Sequence, residues 1–165
     1  MTAVAEQVIT QAETEQFLYR EARLADSHDY DGWEALWTDD AIYWVPAGGE
    51  SAEDPTTQVS VLFDNRSRIG TRIRQLKSGK RHSQTPKSNV VHQITNVEVL
   101  GTSENGDTEV TAALMAVESR ERGTTIWAGR VEYRLRRIDG EIRLAFKKVT
   151  LVDRDQPLYT LSFLI

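Results

Sequence analysis

Among the side chains that could do chemistry in this chain, His92 stands first. It lies in Val91-His92-Gln93-Ile94-Thr95-Asn96, a stretch whose alternation predicts a strand, and it shares a face with Ile94 and Asn96. An imidazole on an inward strand face could take or give a proton near neutral pH. His28, Asp29 and Asp31 form a second cluster between two predicted helices. With Asp29 as its partner, His92 would suit a free-standing dehydratase or isomerase. The plainer readings are a hydrogen-bonded interior histidine and carboxylates that cap a helix.

What is missing narrows the chemistry further. The chain has no cysteine and three histidines, His28, His82 and His92. A Rieske cluster, which takes two Cys and two His, cannot be built from it, nor can an all-cysteine iron–sulfur site. No two histidines have the i, i+4 spacing of a helical metal pair, and no Gly-rich phosphate loop or G-x-S-x-G elbow is present. The expectation is that this chain holds no metal and no cofactor.

A length of 165 residues fits one domain able to bury about 70% of the surface its unfolded chain exposes. We place that domain at residues 14–165, behind an N-terminal arm at residues 1–13. The apolar runs are too short to span a bilayer, and the first residues lack the basic and apolar regions of a signal peptide. A soluble, cytoplasmic protein without membrane contact is expected. The net charge of −5 conceals an asymmetry, with 13 acidic and 2 basic residues in 1–60 against 12 acidic and 18 basic in 61–165. The basic excess is interleaved with acids and apolar residues, which predicts a solvated sheet face or a surface paired with the acidic helices. It does not resemble a nucleic-acid footprint.

These residues must be positioned by helices first and strands after. From about Thr14 the spacing is helical, with Phe17, Leu18, Ala22, Leu24 and Ala25 on one side and Glu15, Arg20, Glu21 and Arg23 on the other. Asp31 resembles an N-cap with Glu34 as its capping-box partner, opening a short helix that shows Trp33, Leu36 and Trp37 on one side. Residues 41–46 predict a strand, 47–57 a loop, 59–64 a strand, and 65–77 a helix with Ile69, Ile73 and Leu76 inward. Residues 78–88 read as a basic loop. Strands follow at 90–100, at 109–117 (apolar on both faces), and at 125–137. Asp139-Gly140 then signals a type I′ hairpin. After it Ile142, Leu144 and Phe146 share a face, and the phase flips at Lys147-Lys148, where a β-bulge is expected. The sequence ends on Leu161-Ser162-Phe163-Leu164-Ile165, which predicts a last strand tucked into its own sheet or an apolar subunit contact. The order of elements argues an α+β domain, helices on one face of a strongly curved, mostly antiparallel sheet, with a conical hollow between them.

Several segments together resemble the small (β) subunit of aromatic-ring-hydroxylating dioxygenases, over nearly the whole chain and most of all the benzoate/toluate branch. They are Phe17-Leu18-Tyr19-Arg20-Glu21-Ala22-Arg23-Leu24-Ala25-Asp26-Ser27, Asp29-Tyr30-Asp31-Gly32-Trp33-Glu34-Ala35-Leu36-Trp37, Val59-Ser60-Val61-Leu62-Phe63, His92-Gln93-Ile94-Thr95-Asn96-Val97-Glu98-Val99 and the closing Leu161-Ser162-Phe163-Leu164. Glu53-Asp54-Pro55 and Asn65-Arg66 add to the pattern. The resemblance implies an NTF2-like cone, the plan shared with SnoaL-like and scytalone-dehydratase-like proteins. It implies a non-redox, mainly structural subunit that trimerises and supports three large (α) subunits. Those partners would carry a Rieske [2Fe–2S] cluster and a mononuclear iron, and would be fed from NAD(P)H by a reductase. The substrate would be aromatic, with an acid such as benzoate favoured. On this reading no residue of this chain is catalytic and the pocket around His92 is a vestige.

Two related families bear on the alternative. Scytalone-dehydratase-like proteins carry a Tyr-Asp pair and a strand His, which match His28-Asp29 and His92 with His28 in place of the Tyr. Ketosteroid isomerases carry a catalytic Asp before a Pro, where this chain has Val45-Pro46.

Overall fold

The computed structural model describes residues 8–48 and 54–165. The first helix, α1 (Gln11–Asp26), starts three residues earlier than the apolar spacing predicts. The Thr10 hydroxyl accepts from the Glu13 amide, and the Glu13 carboxylate accepts from the Thr10 amide, a reciprocal capping box. Ile9, just before that cap, is buried in the core, and residues 11–13 of the expected 1–13 arm lie in α1; residues 1–7 lie outside the described residues.

Glu21 also departs from expectation. It is buried, not on the solvent side of α1, because it lies one turn from Phe17 and Leu18 on the face that meets the sheet. The next helix, α2 (Tyr30–Glu34), is capped by Asp29 and not by Asp31. Trp37 does not belong to α2; it opens strand β1 (Trp37–Pro46). Glu34 is no capping partner either, since its carboxylate meets Arg66 at 2.9 Å.

Strand β2 (Ser60–Asn65) runs antiparallel to β1 and ends directly in α3 (Arg66–Ser78), which Asn65 caps through the Arg68 amide. Ile69, Ile73 and Leu76 face inward from α3, as the spacing predicted. A short 3-10 helix, His82–Gln84, interrupts the basic loop. Residues 49–53 of the predicted 47–57 loop are outside the described residues.

The long strands are β3 (Asn89–Thr102), β4 (Thr108–Arg120), β5 (Gly123–Ile138) and β6 (Glu141–Leu151). Asp139 and Gly140 both take positive φ at the β5–β6 turn, the backbone that an Asp-Gly type I′ hairpin requires. The six strands form one sheet in the order β2-β1-β6-β5-β4-β3. All neighbours are antiparallel except β1 and β6, which run parallel.

Two strand expectations need correction. β4 is buried on one face only: Val110, Ala112, Leu114 and Ala116 point inward, while Met115 on the outer face is 38% exposed because no second layer covers it among the described residues. The bulge in β6 falls at Ala145, not at Lys147-Lys148. Arg134 pairs with Phe146 and Leu135 with Leu144, which leaves Ala145 as the extra residue. Lys147 therefore points into the core, where an apolar-phase reading would never place a lysine. Further register shifts, in β3 between Thr95 and Glu98 and between Val99 and Gly101, bend the edge strand.

The curved sheet wraps a core to which α1 and α3 contribute one wall. The charge asymmetry now has a cause, because acids of the N-terminal helices and of β1 meet bases of the sheet and of α3. Glu13 pairs with Arg137, Glu21 with Lys147, Asp31 with Lys77 and Asp40 with Arg136.

Candidate functional site

His92 sits at the inner edge of β3, its side chain only 2% exposed. Its Nδ1 lies 2.5 Å from Oδ1 of Asp26, the last residue of α1, and its backbone amide donates to the same carboxylate at 3.1 Å. The carboxylate thus ties the end of α1 to the sheet edge. Spacing alone could have flagged Asp26, since it lies four residues beyond Ala22 on the buried stripe of α1.

Asp29, the partner that the sequence suggested, is turned to another task. Its carboxylate accepts from the Gly32 amide at 3.0 Å and caps α2. A Cβ at Gly32 would stand 2.8 Å from that carboxylate, so a larger residue there would make the Asp29 side chain shift. Asp31 pairs with Lys77 across an exposed gap at 2.8 Å. His28 reaches 3.0 Å from the Ser88 carbonyl oxygen through Nε2. The cluster at 28–31 is therefore a set of caps and braces, and the structure does not join it to His92 by a hydrogen bond.

The space in front of His92 is filled by the chain itself. Residues 158–165 form no strand, contrary to the sheet-tail expectation. They enter the hollow as an irregular segment. Phe163, Leu164 and Ile165 are buried there, each worth about 1.5–3 kcal/mol of burial. The Phe163 ring stands edge-on to His92 and to Trp127, with centroids 5.7 Å away in both cases.

Polar anchors hold both ends of this insert. The Tyr43 hydroxyl donates to the Ile165 carbonyl at 2.7 Å and accepts from the Ile165 amide at 3.0 Å. Burial pushes the Tyr43 pKa well up, so the hydroxyl keeps the proton it donates. Ser162 meets the carboxylate of Glu118 at 3.0 Å and accepts from Arg120 at 2.9 Å.

Glu118 is fully buried and was not singled out by the sequence, because its strand neighbours are apolar. It accepts from Ser88 at 2.6 Å, Trp127 Nε1 at 2.9 Å and Arg122 at 3.1 Å besides Ser162. Burial would raise its pKa. The donors Ser88, Trp127 and Ser162 and the Arg122 charge outweigh that and hold it below the usual carboxylate value.

A second buried polar centre lies among Trp33, Trp37, Tyr43 and Tyr133. Lys147 Nζ donates to Glu21 at 2.8 Å, and the Trp33 indole donates to the same carboxylate oxygen at 2.8 Å. Both charged side chains are at most 2% exposed. Three surface grooves of about 420, 480 and 560 Å³ lie elsewhere, and His92 lines none of these three. Among the described residues no group of three or more His, Cys, Asp or Glu is placed to hold a metal ion, and no helix is long and apolar enough to cross a membrane.

Helices closing a curved mixed sheet around a hollow define an α+β cone of the NTF2-like class. Within that class, the ring hydroxylating beta subunit family matches residues 20–155, and the chain belongs to that family. It is 30% identical over 147 residues to the small oxygenase component of the p-cumate 2,3-dioxygenase system of Pseudomonas putida, covering 87% of this chain and 79% of that one. It is 30% identical to the anthranilate 1,2-dioxygenase small subunit of Acinetobacter baylyi, covering 78% of this chain and 81% of that one. The crystal structure of the benzoate 1,2-dioxygenase beta subunit from Burkholderia mallei has the same fold, with a TM-score of 0.74 at 24% identity, covering 94% of this chain and 99% of that one.

Proposed function

We propose that this chain is the non-redox, structural subunit of a multicomponent aromatic-ring-hydroxylating dioxygenase of the cytoplasm. Its larger α partner would bind the aromatic substrate and activate O₂. The observation that carries this reading is the filled cone. In a family of dioxygenase beta subunits, the one interior histidine that could act as a base faces the chain's own Phe163 and not an open cavity. A free-standing dehydratase or isomerase using His92 and Asp29 is not favoured, because Asp29 caps α2 and the hollow is occupied.

The iron centres belong with the partner. This chain has no cysteine, and His28 and His92 are already engaged by Ser88 and Asp26. A Rieske [2Fe–2S] cluster and a mononuclear iron would therefore sit in the α subunit, with electrons arriving from NAD(P)H through a reductase. An assembly of three α and three β subunits, with the β subunits forming a trimer, fits a chain whose role is support. For the substrate we favour an aromatic acid, since p-cumate, anthranilate and benzoate, which name the relatives above, are all benzene rings bearing a carboxylate.

Native purification of the tagged chain from its source cells tests this. The expected result is a larger partner in equal amount, iron–sulfur absorbance in the complex, and ring oxidation by the complex but not by the chain alone. A colourless assembly of this chain only, or turnover by the isolated chain, would overturn it.

A further inference from the structure

Among the described residues Thr14 Oγ1, Trp37 Nε1, Gln84 Oε1, His92 Nε2 and Tyr133 OH are buried without a hydrogen-bond partner, and of these His92 is the one whose ring packs against the Phe163 ring. His92 Nε2 makes no hydrogen bond, although the side chain is almost fully enclosed. Nδ1 sits 2.5 Å from the Asp26 carboxylate, and in the tautomer that donates to it Nε2 presents a lone pair. An acceptor left unsatisfied in the interior costs about 1–3 kcal/mol. Phe163, its neighbour across the hollow, has no donor to offer.

The shape of that neighbour is informative. Phe163 stands edge-on to both His92 and Trp127, so the slot it fills has the size of one benzene ring between two aromatic walls. The segment that delivers the ring is built unlike the rest of the core. It pairs with no strand and is held by side-chain latches, Ser162 on Glu118 and Arg120, and Ile165 on Tyr43. Segments of this kind open locally at lower free energy than sheet strands.

We propose that the Phe163 slot is a ligand site sealed by a displaceable plug, and that its ligand is a small monocyclic aromatic carrying a hydroxyl, of the phenol class. The ring of the ligand takes the place of the Phe163 ring against Trp127, and its hydroxyl donates to His92 Nε2. Plug and ligand compete for one volume, so the apparent affinity is reduced by the fraction of molecules with the plug in place.

The test is titration of the full chain with phenol and with toluene, which match in ring size and differ in the hydroxyl donor. Binding is read from the ¹⁵N shift of His92 Nε2 and from hydrogen exchange at the amides of Phe163 and Leu164. Phenol is expected to bind saturably and about tenfold more tightly than toluene, one neutral hydrogen bond's worth. It is also expected to move the Nε2 signal and to speed exchange in the plug. Ser162→Ala, which loosens a latch without removing core volume, tightens phenol binding; His92→Phe keeps a ring at that wall and erases the preference over toluene. Equal binding of the two probes, phenol binding that leaves Nε2 and the plug amides unchanged, or no saturable binding to either the native chain or Ser162→Ala would overturn the proposal.

Discussion

Two of the three buried polar centres of this cone, Glu21–Lys147 and Asp26–His92, are built from the same kinds of groups and are finished differently. At Glu21–Lys147 the carboxylate oxygen that meets the ammonium also accepts the Trp33 indole, and the aromatic rings of Tyr43 and Tyr133 flank the lysine, each centroid 5.9 Å from Nζ. At Asp26–His92 the carboxylate is served twice, by ring and backbone, yet the far nitrogen of the ring is left bare. In the first centre each charge has its partner, although Trp37 Nε1 and Tyr133 OH beside it are unpaired, while in the second the imidazole itself is tied on one side and bare on the other. A buried charge pair is compatible with a rigid support because breaking it is expensive, while an unpaired acceptor is a place where something else could fit.

The comparison breaks most visibly at Lys147. Lys147→Met strands a buried carboxylate and is expected to cost about 3–5 kcal/mol, read as a fall in the urea midpoint. Adding Glu21→Leu should restore much of that loss, since the isolated charge is then gone. If Lys147→Met alone is neutral, the pair is not the structural element described here.

Glu118 sharpens the second centre, because it holds the plug that faces His92. Glu118→Gln is expected to cost about 1.5–3 kcal/mol, the range for hydrogen bonds to a charged group. Its folded pKa is depressed, so its contribution is complete above the unfolded carboxylate value of about 4.3 and is lost as pH falls through the lower folded value. Stability measured from pH 6 down to pH 3 should therefore drop less steeply in Glu118→Gln than in the native chain. Glu13 and Asp40 are also held below their usual values, Glu13 first by the Thr10 amide and Asp40 first by Arg136. Both are exposed enough that solvent screens them, and they should add little to the slope.

The smallest effect separates the two aspartates. Asp29→Ala removes a helix cap and should cost about 1 kcal/mol. Asp26→Ala, which leaves both the His92 ring and its amide without their acceptor, should cost more and shift the His92 ring signals, whereas Asp29→Ala should leave them in place. Equal losses with equal shifts would restore Asp29 as the functional partner.

Much of this arrangement was legible in the sequence wherever short-range periodicity carries the information. The helical stripe around Phe17 and Leu18, the inward face of α3, the Asp139-Gly140 hairpin and the run of long strands each follow from local spacing and turn chemistry. The family pattern followed from motif order. The misreadings share one cause. Glu21 and Lys147 were assigned to the surface or to a change of phase, because a charged residue is presumed solvated until its counter-charge is known, and here that partner lies 126 positions away. The sequence points to Asp29 as the partner, and the docking of α1 against β3 brings Asp26 to His92 instead.

By itself the sequence determined the α+β plan, the absence of cysteine and the ring-hydroxylating subunit pattern, because these reside in residue types and their near neighbours. Only the tertiary structure decided what fills the cone. An apolar ending such as Phe163-Leu164-Ile165 is equally content in a strand, at a subunit contact or inside a hollow, since apolar burial has no direction. The hydroxyl of Tyr43 and the carboxylate of Glu118, each far from the tail in sequence, supply the direction and lead it inward.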